Sequence, residues 1–164
     1  MNDEKESLNR IFSITSTAFC DGEPIPLRCS ARGEDVSPGF KLKNMDSKAK
    51  SVVITMDDMS HPIFKIYNHW CIWNIPVQEE IPEGIPRGKT VPSLGGAVQG
   101  IGYGRHRYRG PKPPFKSIHT YQFTVYTLDC TLNLPSHCGK KELLNRMDGH
   151  ILQRAMLSGT FQNP

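Results

Sequence analysis

No two cysteines in the chain are spaced C-x-x-C, and the five present, Cys20, Cys29, Cys71, Cys130 and Cys138, are odd in number. A zinc finger or a dithiol redox motif is thereby excluded, and free thiols in a reducing compartment are the simplest reading. No stretch approaches the ~18 apolar residues of a membrane-spanning helix. Met1 to Arg10 is polar and charged, without the apolar run of a secretion signal. A soluble, cytoplasmic protein with no transmembrane segment is therefore expected. Also missing are H-E-x-x-H, G-x-S-x-G, any internal repeat and any low-complexity tract. Neither sign of charge dominates, with 20 Lys and Arg against 16 Asp and Glu. The net charge of +4 leans toward anionic partners but falls short of the concentrated basic patch of nucleic-acid binders.

What is present describes an ordinary folded chain. Its 164 residues, 37% hydrophobic and 9% aromatic, suit one domain spanning 1–164, with 1–10 as a flexible polar lead. Short pieces alternate apolar and polar residues with the period of a half-buried strand. Ile11, Ser13 and Thr15 face one way while Phe12 and Ile14 face the other. Further strands are expected over Ser51 to Met56, His69 to Ile75 and Tyr121 to Leu128, all rich in β-branched and aromatic residues. The Pro- and Gly-rich stretches Ile81 to Gly104 and Gly110 to Pro114 read as long surface loops, and loops of that length are usually functional. Helical spacing appears only late, through Leu143, Leu144, Met147, Ile151, Leu152 and Ala155, broken at Asp148-Gly149. This predicts one or two short C-terminal helices, then a short strand at Thr160 to Gln162.

Three segments concentrate residues that ordinary strands avoid. D-D-M-S-H-P, Asp57 to Pro62, follows an apolar strand, so its carboxylates are placed at a strand end, in a crevice or in a solvated turn. H-W-C-I-W-N-I-P, His69 to Pro76, opens an apolar strand with an imidazole that needs a partner if buried. Y-R-G-P-K-P-P-F-K-S-I-H-T-Y, Tyr108 to Tyr121, has three prolines in four positions, which stiffen it. His119 and Tyr121, two apart at a strand start, project to one face.

Taken in order, these segments resemble the signature of the phosphatidylethanolamine-binding (Raf-kinase-inhibitor-like) protein family. The likeness runs on through F-T-V-Y-T-L-D, Phe123 to Asp129, and M-D-G-H-I-L-Q-R-A, Met147 to Ala155. The latter is similar to the bacterial and archaeal branch, and Ser37-Pro38 fits too. The resemblance implies a mostly-β fold, a large antiparallel sheet packed on a smaller one with short C-terminal helices. It implies a rim pocket lined by Asp58, Pro62, His69, Tyr108, Gly110, Pro111, Pro113, Pro114, His119 and Tyr121. Such a pocket takes a small anion: phosphate, a carboxylate or a phosphoethanolamine head group. Imidazole N–H, tyrosine O–H and backbone amides suit that role, and a carboxylate such as Asp58 can orient His69 or raise its pKa. No cofactor or metal is implied. A homodimer is implied by likeness to the bacterial branch, and regulation or inhibition of other proteins by relatives that do this.

The sequence departs from the family pattern at Met59 and Ser60, which replace Pro and Asp, and at Thr120, which replaces Arg. Non-catalytic anion binding is the leading expectation. The alternative is a hydrolase or metal-dependent enzyme in which Asp58, His69 and His119 form an acid–base group or a metal triad. G-Y-G-R-H-R-Y-R-G, Gly102 to Gly110, interleaves Arg105, Arg107 and Arg109 with His106 and Tyr108, a pattern that can grip nucleic acid. It reads better as an exposed basic turn beside the pocket, and a nucleic-acid partner is not expected.

Overall fold

The computed structural model describes residues 11–164, and the polar lead expected at 1–10 lies outside the described residues. Eleven-residue strands β3 (Ser51–His61), β4 (Lys65–Ile75) and β8 (Ile118–Leu128) form the centre of the molecule. With β6 (Thr90–Val91), β7 (Ala97–Gln99) and β9 (Ile151–Gln162) they make an antiparallel sheet of order β6-β7-β4-β3-β8-β9. A smaller antiparallel sheet, β1-β2-β5, comprises Ser13–Ser16, Phe40–Lys43 and Glu80–Ile81. The mostly-β, two-sheet architecture is the expected one.

The central strands are covered on both faces, which is why they read as nearly continuous apolar runs. On one face Val52, Ile54, Met56, Trp70, Ile72, Phe123 and Val125 pack against Ile14, Phe40, Leu42 and Ile81 of the small sheet. On the other, Val53, Cys71, Trp73, Tyr126 and Leu128 pack under Leu132, Leu134, Leu143 and Met147. The last two belong to α1 (Lys140–Met147). The rings of Phe40 and Phe123 meet between the sheets with centroids 5.2 Å apart. Burial of each such side chain contributes about 1.5–3 kcal/mol. The expected alternation at the first strand holds, with Phe12 and Ile14 buried and Ile11 and Thr15 exposed. All five cysteines are free thiols.

Three local expectations are corrected. The helical spacing ends with α1: Gly149 turns the chain at φ +81° and Ile151, Leu152 and Ala155 enter the long strand β9. Pairing with β8 from Ile118↔Gln162 to Leu128↔Ile151 overrides the helical spacing, and Thr160 to Gln162 is only the end of that strand. Residues 81–104 are not a structureless loop. Val91, Leu94 and Ala97 are buried and anchor two short strands around a 3₁₀ turn, Pro92–Leu94. That turn closes at Gly95, φ +61°, where a Cβ would stand 2.3 Å from Pro76. Finally, Asp57 and Asp58 lie within β3 rather than at its end, so they point to opposite faces. Asp57 binds Lys140 Nζ at 2.7 Å and takes 3.0 Å from Asn68 Nδ2, while Asp58 turns to the other side.

The Phe40–Phe123 contact predicts that Phe123→Ala loses about 3–5 kcal/mol of stability. Met156→Ala, on the outer strand with Met156 48% exposed, should stay within about 0.5 kcal/mol. Urea denaturation of both variants checks this, and equal midpoints would contradict it.

Candidate functional site

A cavity of about 150 Å³ opens at the end of the central strands. Its floor comes from three of them. Asp58 faces Tyr121 across the β3–β8 register and Tyr67 across the β3–β4 register. His119 and Tyr121, two apart on β8, share the pocket face, as their spacing requires. His69 arrives by an irregularity. Met56 pairs with Trp70 and Asp57 with Asn68, which leaves His69 as an extra residue in β4. Such a bulge re-aims a side chain. Here it puts His69 on the pocket side although its neighbour Trp70 also faces the first core.

Asp58, His69 and His119 each have a defined partner on this floor. His119 Nδ1 lies 2.7 Å from Asp58 Oδ2, with both side chains buried. Asp58 Oδ1 accepts the Ser60 N–H at 2.9 Å. His69 Nδ1 lies 2.8 Å from the Arg109 carbonyl. The rings of Tyr103 and Tyr121 meet the His69 ring edge-on, at 4.9 and 5.4 Å. Burial pushes the His69 pKa below the ordinary histidine range, against smaller opposing pulls from the Arg109 carbonyl and Asp58. Burial, reinforced by Asp58, raises the Tyr121 hydroxyl well above its usual value, so it keeps its proton.

The expectation that Asp58 orients His69 is thus corrected. The carboxylate holds His119, and a backbone carbonyl holds His69. The departures from the family pattern lie close by: Ser60 Oγ accepts the Thr120 N–H at 3.0 Å, tying the end of β3 to β8.

The wall is the 108–114 loop, seated on a segment around residues 27–35. Tyr108 donates its hydroxyl to the Cys29 carbonyl at 2.6 Å, the Ala31 N–H donates to Pro111 O at 2.9 Å, and the Gly110 N–H donates to Asp35 Oδ1 at 2.7 Å. A Cβ on Gly110 would stand 2.2 Å from the Cys29 oxygen, so only glycine fits. Asp35 also lies 3.8 Å from the guanidinium groups of both Arg107 and Arg109, and Arg109 covers the Tyr103 ring at 5.4 Å.

Asp58, Pro62, His69, Gly110, Pro113, Pro114, His119 and Tyr121 therefore meet at one cavity. Tyr108 and Pro111 do not line it. Both are buried beneath the loop, and their polar atoms anchor it to the 27–35 segment. Four lining residues escaped the sequence reading: His61, Tyr103, Arg109 and Lys112. All four sit inside quoted motifs. Tyr103 and Arg109 belong to the segment read as a basic turn, and that segment is divided rather than exposed, since Arg107 is largely buried toward Asp35.

As metal ligands, Asp58 and His119 already bond each other, and His69 uses Nδ1 on a carbonyl. Among the described residues, the group whose ligand atoms come within 4.8 Å of one another is instead Asp129, Cys130 and His150, at the far end of β8. No described helix is long and apolar enough to cross a membrane.

Two antiparallel sheets, with a small His-, Tyr- and Pro-lined pocket where the central strands end, define a phosphatidylethanolamine-binding-protein-like fold. The model of the family described as phosphatidylethanolamine-binding protein matches residues 15–162. The chain belongs to that family. A UPF0098 protein of Pyrococcus horikoshii is 39% identical over 98% of this chain and 79% of its own length. One from Methanothermobacter thermautotrophicus is 36% identical over 92% and 98%. Among solved structures, a phosphatidylethanolamine-binding protein homologue from Chlamydia trachomatis superposes with a TM-score of 0.83 at 32% identity, covering 94% of this chain and 99% of that one. E. coli YbcL shares the fold at a TM-score of 0.85 and 23% identity, over 93% of this chain and 99% of that one.

The seat of Gly110 yields a prediction. Gly110→Ala forces its methyl against the fixed Cys29 carbonyl and should cost about 1–3 kcal/mol. Chemical denaturation measures this, and an unchanged midpoint would show that the loop is not held there.

Proposed function

We propose that the protein is a non-catalytic binder of small anions, holding a phosphate-like or carboxylate group in the pocket at the end of β3, β4 and β8. The observation that carries this reading is the convergence of His69 from β4 with His119 and Tyr121 from β8 on one small cavity, with Lys112 and Arg109 at its wall. Tyrosine O–H and lysine N–H donate to an oxyanion, and the Asp58 charge is offset by the His119 N–H it accepts. A free phosphoethanolamine head group carries the same chemistry. No cysteine lines the cavity, and the Ser60 hydroxyl oxygen is occupied by the Thr120 amide. Neither offers an activated nucleophile, which favours binding over hydrolysis.

The wider reading is one cytoplasmic domain that works as a homodimer and acts on other proteins through its occupied or empty pocket. Pairing is checked by light scattering across a concentration series: a mass near twice 18.5 kDa is expected, and a monomer throughout would refute it.

The pocket is tested by calorimetric titration of phosphate and phosphoethanolamine into the wild type, His69→Ala and His119→Ala. Loss of a charge-assisted bond costs about 1.5–3 kcal/mol, so each variant should bind about ten- to a hundredfold more weakly. Asp58→Asn acts through His119 and should lose less. Unchanged affinity in histidine variants with wild-type circular dichroism would place the anion elsewhere.

A further inference from the structure

The hydrogen-bond partners of the pocket settle which of its atoms can give a hydrogen and which must receive one. A backbone carbonyl only accepts, so the contact between His69 Nδ1 and the Arg109 oxygen, 2.8 Å, fixes the hydrogen on Nδ1. His69 Nε2 has no hydrogen-bond partner among the described residues. The groups around the ring pull in opposite directions. Asp57 and Asp58 on β3 favour the charged form. Arg109 on the loop and the enclosing burial oppose it, with Tyr67, Tyr103 and Tyr121 packed against the ring and His119 beyond. The ring is buried and no acceptor stands by Nε2 among the described residues to hold a second hydrogen, so the site favours the neutral ring with a lone pair on Nε2.

Tyr121 has the complementary character. The Lys112 amide is directed at its hydroxyl, and the retained O–H is a donor. The cavity therefore presents an acceptor at His69 and a donor at Tyr121, with the Asp58 carboxylate in the same wall.

A fully deprotonated oxyanion would set lone pair against lone pair at His69 Nε2 and add charge beside Asp58. An oxyanion that keeps one O–H avoids both. It donates that hydrogen to Nε2, accepts from Tyr121 with another oxygen, and brings less negative charge toward the carboxylate. We infer that the pocket selects its ligand by the ligand's own acidic hydrogen, taking a hydrogen-phosphate group, free or as a phosphomonoester, over a phosphodiester or sulfate. This rests on the anion-binding reading and narrows it to a chemical class.

The test is calorimetric titration of the intact chain with inorganic phosphate, methyl phosphate, dimethyl phosphate and sulfate, at pH 6 and pH 8. A phosphomonoester has its second pKa at about 6, so about half of it carries a P–OH at the lower pH and about one part in a hundred at the higher. Methyl phosphate should bind at least about tenfold more tightly than dimethyl phosphate or sulfate at pH 6, the difference of one well-made hydrogen bond. It should lose about tenfold or more at pH 8, while dimethyl phosphate and sulfate stay flat. Inorganic phosphate keeps a P–OH at both pH values and should remain bound, which separates the free anion from the esterified one. His69→Phe should abolish the preference for methyl phosphate over sulfate.

Two results would overturn the inference and leave the anion pocket standing. One is equal binding of monoester, diester and sulfate. The other is a parallel loss of all three between pH 6 and pH 8, which would mean that a protein histidine carries the hydrogen. Absence of binding by every anion, or binding that survives His119→Ala unchanged, would remove the pocket reading itself and the inference with it.

Discussion

Strands β3, β4 and β8 have no solvent face over most of their length, and the buried charged and imidazole side chains on them are satisfied from within. Core packing on one side and the cover of α1 on the other leave water no access until the strands end. An unpaired buried polar group costs about 1–3 kcal/mol, more if charged, so the partners are as necessary as the apolar contacts. Asp57 meets this demand through Lys140, the first residue of α1, which also ties the helix to the sheet. Asp58 meets it through His119, and His69 through the Arg109 carbonyl. The site is thus assembled from the same constraint that holds the sheets together.

The constraint passes from the strands to the loop. His69 can be satisfied only if the Arg109 carbonyl is in place, and that carbonyl is placed by the bonds beneath the loop, from Tyr108, Gly110 and Pro111 to the 27–35 segment. Asp35 is central to this support. It receives the Gly110 amide and stands near two arginines, from a left-handed backbone conformation at φ +58°. Residues far apart in sequence therefore set the tautomer of one imidazole.

Much of the fold was legible because its strands obey a period of two and their β-branched and aromatic residues mark them. The C-terminal region was misread for a physical reason: β9 is an outer strand, half-exposed along most of its length, and its apolar residues carry no strict alternation. The meeting of Asp58, His69, His119 and Tyr121 was readable from motif order. The partners were not. The extra residue in β4 that swings His69 toward the pocket depends on the register with β3, which no local pattern encodes. The support from Asp35 likewise appears only once the chain is folded. Lys112, His61, Tyr103 and Arg109 were visible in the motifs, but nothing in their spacing separated lining residues from neighbours.

The small size of the cavity sets a ceiling on what it can achieve alone. At about 150 Å³ it accommodates little beyond a single oxyanion group. The best very small ligands gain at most about −1.5 kcal/mol per non-hydrogen atom. A group with about five such atoms then reaches about −7 to −8 kcal/mol, a dissociation constant in the micromolar range at its tightest. Stiff proline walls would help it approach that limit, because little loop ordering would remain to be done on binding. Occupancy would therefore follow micromolar and higher concentrations of the anion, as in a gauge of its level. Any tighter association must draw its remaining free energy from surface outside the cavity.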